Sequence, residues 1–384
     1  MANQLSVAPA QRDLNWIKQT IQSAIELECS TLPLYLSAMF SLEVQNYTAY
    51  HAIRSVIMEE MVHMAIDANM LTALGATPQI KNIQFQFPVQ GLPGGAEPDL
   101  SIGLAKLSKP QLKNFLRIEM PDFLLKQIGR GENYPTIAVF YDAIRQAIRS
   151  NAAAVRAAVQ AAGSANHQVG DDIGFTTISA TSGTDPVDQL IAGIDEIIGQ
   201  GEGSSAESLF TGAGSEDEES HYAKFAEIYY EADYQDPQPP IKLTPATEPQ
   251  FFKGRKIPWP EVVNTLAVPA DGYASILALD PSAAAVTVDL SAFDGGYSSI
   301  LAALDLAWNG PAATSWKTLG GAVHSMVDLR VLSCFNILRH QIPDNIVAQI
   351  PQLYPKEIAR LRELTDLTKP VFYGPRFLNV NPAS

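Results

Sequence analysis

The sequence predicts an all-α protein: a four-helix bundle with a long crossover, followed by an added C-terminal helical region. Three observations lead there. Long stretches repeat apolar residues at three- and four-residue spacing, and only one short stretch alternates. The chain is 46% hydrophobic over 384 residues, enough for a full core. The pattern Glu-x-x-His occurs twice, as Glu60-Met61-Val62-His63 and as Glu218-Glu219-Ser220-His221. Residues three apart share a helix face, so each copy offers a carboxylate and an imidazole to a common point.

Residues 11–44 read as the first helix. Ile17, Ile21, Ile25, Leu32, Tyr35 and Met39 form its apolar stripe, and Glu28 falls on that stripe. A carboxylate among apolar neighbours is costly unless it is paired or metal-bound. Glu26 lies about 200° around the helix from Glu28 and is the poorer candidate. Tyr35 stands two turns beyond Glu28 on the same side. Pro33 cannot donate to the carbonyl of Cys29, so a bend or bulge is expected there.

Residues 47–74 are the second helix, closed by Gly75 as a left-handed cap. Its seam runs Ile53, Val56, Glu60, His63, Asp67, Met70, Leu74, with three polar residues in the middle of what should be buried. Glu59 is one residue off the seam; it reads first as a solvated side chain, second as an outer partner to the ligands. Residues 77–107 form the crossover, with one strand-like piece at 83–87. Ser108 caps a third helix with Pro110 in its first turn. Leu112, Phe115 and Leu116 set its inner face, Glu119 continues it, and Pro121 ends it.

Residues 136–162 are one further helix on the stripe Ile137, Phe140, Tyr141, Ile144, Ile148, Val155. Asp142 beside it, with Arg145 one turn on, reads as a surface ion pair and a reserve ligand. A short helix spans 185–198. Ser215 caps the helix that carries Glu218 and His221; acidic residues crowd its first turn, where the helix dipole favours them. Capping explains Glu218 as well as ligation does, but it does not explain His221.

Prolines crowd residues 233–260, the mark of an extended arm. Beyond it, a helix runs through Trp308 and another covers 314–341. His324 and Asp328 on the latter lack partners at matching spacing. The tail at 373–377 reads as a turn packed on the bundle. Three regions follow: a bundle with the site at 10–232, the arm at 233–260, and a smaller helical region at 261–384 packed on the bundle.

A net charge of -15 argues against nucleic acid or an anionic membrane as partner. No apolar run is long enough to span a bilayer, and the first residues lack a signal-peptide pattern. With two cysteines far apart, no disulfide framework or thiolate metal site is implied, and a cytoplasmic location is expected. Imidazole and carboxylate ligands without thiolates suit iron or manganese, with zinc also acceptable. Each imidazole needs an acceptor for its second nitrogen. Asp67, one turn past His63, reads first as an ordinary polar seam residue and second as the local candidate for that acceptor.

Several runs carry a family resemblance: residues 24–28 (Ala-Ile-Glu-Leu-Glu) through 32–36, 53–64, 115–121 (Phe-Leu-Arg-Ile-Glu-Met-Pro), 200–203, 219–228, and 373–377. The chain resembles the ferritin-like family that includes iminophenylpyruvate dimer synthases. The first helix also resembles that of ferritin, where a ligand glutamate is followed seven residues later by a tyrosine, as Glu28 is by Tyr35. The resemblance implies metal ligation by Glu28, Glu60, His63, Glu119, Glu218 and His221.

The expected function is therefore a two-metal carboxylate protein, with two iron ions as cofactor. It would act as an oxidase, oxygenase or dimer-synthase-like enzyme of secondary metabolism, with Tyr35 as a nearby redox or hydrogen-bonding group. Its partners would be a small-molecule substrate or dioxygen, and a second copy of the chain in a homodimer. The alternatives are a metal-binding or iron-handling protein without turnover, and a scaffold whose site is vestigial.

Overall fold

In the computed structural model, the structure describes residues 3–43, 47–125, 134–163, 167–170, 177–202, 209–210 and 218–380. Helix α1 (Leu14–Phe40) starts at Asp13, whose side chain accepts from Trp16 N at 2.9 Å. It runs through Pro33 without interruption. In the preceding turn the Ser30 and Thr31 hydroxyls donate to the carbonyls of Leu27 and Glu28, at 2.7 and 2.8 Å. Helix α2 (Tyr47–Ala73) ends as the glycine predicts. Gly75 sits at φ 75°, Ala76 N reaches the Leu71 carbonyl, and Gly75 N that of Thr72. Every residue of the predicted α2 seam, from Ile53 to Leu74, is buried.

The crossover carries no strand at 83–87. Its only described pairing comes just afterwards, where β1 (Val89–Gln90) meets β2 (Ser101–Ile102) antiparallel. Phe85 and Phe87 are both buried against the core, so the alternation there reflects packing rather than pairing. Helix α3 (Lys109–Ile118) is capped by Ser108, with Pro110 in its first turn, and is followed by the single turn α4 (Asp122–Leu125).

The long helix expected over 136–162 is two: α5 (Ile137–Ser150) and α6 (Ala152–Ala162). Asn151 makes the break. Its side chain donates to the carbonyls of Ala147 and Arg12, both at 2.8 Å, which holds its backbone out of helical geometry. Helix α7 (Pro186–Glu202) runs four residues past the expected end, and α8 (His221–Tyr230) completes the bundle. The cap of α8 is Ser220, which accepts from Ala223 N at 3.3 Å; the expected cap Ser215 lies outside the described residues.

Helices α1 and α2 pack along each other, α3 pairs with α8, and α5 pairs with α7. The arm leads to α9 (Ala274–Leu277), α10 (Ala283–Asn309) and α11 (Ser315–Phe335). Phe293 and Phe377 meet Phe40 of α1, and Trp308 donates to Asn69 of α2 at 2.9 Å. The tail pairs β3 (Gln341–Ile342) with β4 (Val371–Phe372) and buries Tyr373 and Phe377. His324 and Asp328 are exposed on α11. The protein is all-α, and among the described residues no helix is long and apolar enough to cross a membrane.

Candidate metal centre

Five of the six predicted ligands converge. Glu28 comes from the middle of α1, Glu60 and His63 from the middle of α2, Glu119 from the residue after α3, and His221 from the first turn of α8. All five are at most 4% exposed, which is costly for three carboxylates lying together. Donor atoms of Glu28, Glu60 and His63 lie within 4.8 Å of one another, and so do those of Glu60, Glu119 and His221. Glu60 belongs to both groups. The imidazole rings stack 5.3 Å apart at 26°.

Glu218 is not part of the cluster. It lies two residues before the Ser220 cap, outside the helix, and is exposed to solvent. A Glu-x-x-His pair shares a face only when both residues are helical, and here the helix starts at His221. Glu218→Ala is therefore expected to leave metal content unchanged, as measured by elemental analysis of purified protein. The reserve ligand Asp142 also points away, paired with Arg145 and 48% exposed.

Each carboxylate has one oxygen held by a hydroxyl and the other turned inward. Thr31 donates to Glu60 Oε2, Tyr35 to Glu119 Oε1, and Tyr141 to Glu28 Oε1. The inward oxygens face the imidazoles. Glu28 Oε2 and Glu60 Oε1 both lie 3.7 Å from His63 Nδ1, and Glu60 Oε1 and Glu119 Oε2 lie 3.0 and 3.4 Å from His221 Nδ1. Tyr35 is held in turn between the rings of Phe115 and Phe225.

The outer nitrogens have acceptors. His63 Nε2 meets Gln200 Oε1 at 2.8 Å, and His221 Nε2 meets Glu59 Oε2 at 3.0 Å. Glu59 is the outer partner rather than a solvated side chain; it also binds Lys224 Nζ at 2.7 Å. Asp67, the second-ranked local candidate for His63, instead reaches Tyr141 at 2.8 Å. Sequence reading missed Thr31, Tyr141, Gln200 and Lys224. Thr31 stands one turn from Glu28 on the same helix, and Gln200 and Lys224 lie in runs that carry the family resemblance, but none of these signals says what the side chain meets.

A metal pair fits this arrangement. With its proton on Nε2, each imidazole presents a lone pair at Nδ1. That lone pair faces carboxylate oxygens, which are also donors, and His221 Nδ1 is buried without a hydrogen bond. Electron-rich atoms crowded in this way need cations or protons among them. Burial, then the charges of Glu119 and Glu28, push the Glu60 carboxyl up to about 7. Burial opposes protonation of His221, but the neighbouring carboxylates of Glu119, Glu59 and Glu60 outweigh it and raise its pKa well above the usual imidazole range. Burial likewise opposes a charge on Glu59, yet His221 and Lys224 hold it down to about 2. A cavity of about 20 Å³ adjoins the cluster, room for one or two water-sized species. Its other walls are aliphatic, from Leu27, Ile118, Ile137, Ile197 and Ile198.

The family model described as Ferritin-like matches residues 21–230, the stretch that supplies all five converging side chains. No curated protein matches the chain. The crystal structure of a ferritin-like protein from Caulobacter vibrioides is similar in fold, with a TM-score of 0.51 at 21% identity; the match covers 82% of this chain and 95% of that one. With more than half of its length matched by that model, and with these helices, the chain belongs to the ferritin-like family.

Proposed function

We propose that the chain is a dinuclear metalloprotein that holds two iron ions and acts on dioxygen or a small substrate. The observation that carries this reading is the pair of inward Nδ1 atoms set against three half-tethered carboxylates, with Glu60 common to both groups. Glu28, Glu60 and His63 would hold one ion; Glu60, Glu119 and His221 would hold the other. Bound there, iron would supply electron transfer to dioxygen or a substrate. The protein's own share is positional. Thr31, Tyr35 and Tyr141 orient the carboxylates, Gln200 and Glu59 fix the imidazole tautomers, and the aliphatic walls limit water.

Two divalent ions against three carboxylates leave one positive charge, which suits an anionic ligand in the open positions. The finer kinship with iminophenylpyruvate dimer synthases is supported by the sequence runs quoted above. The second reading, metal binding without turnover, is favoured by the small cavity, which has no room for an organic substrate in this conformation. Anaerobic loading with ferrous iron followed by oxygen separates the two. An oxidase or oxygenase takes up oxygen at two irons per chain over repeated turnovers when given a substrate or reductant. A binding protein stops after a single oxidation of its own irons.

Metal affinity should depend on pH with a definite sign. The Glu60 proton, held up to about 7, competes with the ions. Affinity for manganese should fall as pH drops below 7, by about tenfold per unit for one displaced proton, and more steeply where the imidazoles also gain protons. Chelator competition at pH 6, 7 and 8 measures this; a flat profile contradicts it.

A further inference from the structure

Asp67 is a buried titratable group that the ligand set does not use. It stands on α2 one turn past His63, is fully buried, and its Oδ1 has no hydrogen-bond partner. Its Oδ2 lies 2.8 Å from the Tyr141 hydroxyl, and that same hydroxyl lies 2.5 Å from Glu28 Oε1.

A phenol carries one proton, and ionised carboxylates only accept. Were both acids ionised, one of these two contacts would have no hydrogen in it. Two lone-pair oxygens would then face each other in a place closed to water. A second proton is therefore required, and the surroundings decide where it sits. Glu28 Oε2 faces His63 Nδ1, where positive charge can gather. Among the described residues, the titratable groups acting on Asp67 are Glu28 and Cys29 from α1 and Tyr141 from α5, and none is a cation.

We infer that Asp67 is a neutral carboxylic acid that donates to Tyr141 and so commits the Tyr141 proton to Glu28 Oε1. The chain of hydrogen bonds then runs one way, from Asp67 through Tyr141 to Glu28. Burial, reinforced by the Glu28 charge, pushes the Asp67 carboxyl well above the usual range, in agreement. Glu28 keeps Oε2 alone for an ion, and Asp67 and Tyr141 are positioning residues for that ligand, a consequence that rests on the metal reading above.

The infrared difference spectrum between metal-free wild type and Asp67→Asn tests the protonation state. A carboxylic-acid carbonyl band that shifts in D₂O should be present in wild type and missing in the variant. Because the difference isolates Asp67, a proton on Glu60 does not imitate it. No such band in wild type overturns the inference. Manganese titration tests the consequence. Asp67→Asn keeps a donor toward Tyr141 and should bind within about twofold of wild type, while Tyr141→Phe should lose about 10-fold, the scale of an outer-ligand loss. An Asn variant as weak as the Phe variant overturns the one-way chain. A wild type that takes up no manganese contradicts the metal reading, and the infrared band still decides the state of Asp67.

Discussion

Glu60→Gln should empty the metal centre and, at the same time, stabilise the metal-free protein. Glu60 is shared by both donor groups, so neutralising it and removing one of its donor oxygens weakens both ions together. The loss should exceed the roughly 10- to 100-fold expected of an outer-ligand change. The stability effect has the opposite sign. The folded protein raises the Glu60 carboxyl to about 7 because burial and the neighbouring carboxylates disfavour its charge. An acid whose folded pKa is raised destabilises the fold fully above that value, and the penalty vanishes below its unfolded pKa. From an unfolded pKa of about 4.3, the penalty at pH 8 is on the order of 3 kcal/mol. Urea unfolding of metal-free protein should therefore show the Gln variant more stable at pH 8, with the gain shrinking as pH falls toward 4. Loss of metal with equal or lower stability at pH 8 would mean that Glu60 is not under this strain.

The second large effect is expected at Phe225. Its ring is fully buried on α8, with centroids 5.0 Å from Tyr35 and 5.2 Å from Phe115. Tyr35 and Phe115 meet edge to face at 4.7 Å, so the three rings form one packed unit. Phe225→Ala opens a cavity in that unit and should cost about 3–5 kcal/mol. That is a large part of a typical domain stability of about 5–15 kcal/mol. The cost should also reach the site, because the Tyr35 hydroxyl positions Glu119. Phe225→Leu refills most of the volume and should recover most of the stability and the metal affinity. Denaturant midpoints for the two variants measure this, and a loss under about 1 kcal/mol for Ala would show that the ring carries little of the packing.

Much of the site was legible because polar residues interrupt helical apolar stripes. Glu28 among Ile25 and Leu32, and the Glu60, His63 and Asp67 run within α2, violate the hydrophobic period, and such violations mark buried groups with a task. Glu119 was legible from its place on the inner face just before Pro121. Glu218 was misread because the start of its helix was placed too early. An acidic run before a helix suits either a first turn or a solvated approach to it, and Ser220 turned out to be the cap.

The roles of Tyr141 and Gln200 were out of reach for a different reason. Tyr141 stood on a stripe where a tyrosine packs as readily as a phenylalanine, and its link to Glu28 and Asp67 joins three helices. Gln200 meets His63 across 137 positions of sequence. Periodicity reports which face of a helix is buried, not which residue of another helix it meets. The fold was legible in helix count and type, and less so in helix ends. Asn151 divides one expected helix by bonding backward to Ala147 and across to Arg12, a contact with no local signature.

Anomalous diffraction at the iron edge, from crystals loaded with ferrous iron without oxygen, tests the central claim most directly. The account predicts two peaks about 3.5–4 Å apart, one beside Glu28 and His63, the other beside Glu119 and His221, with Glu60 touching both. No peak at this place, or imidazoles of His63 and His221 turned to separate locations, would contradict it.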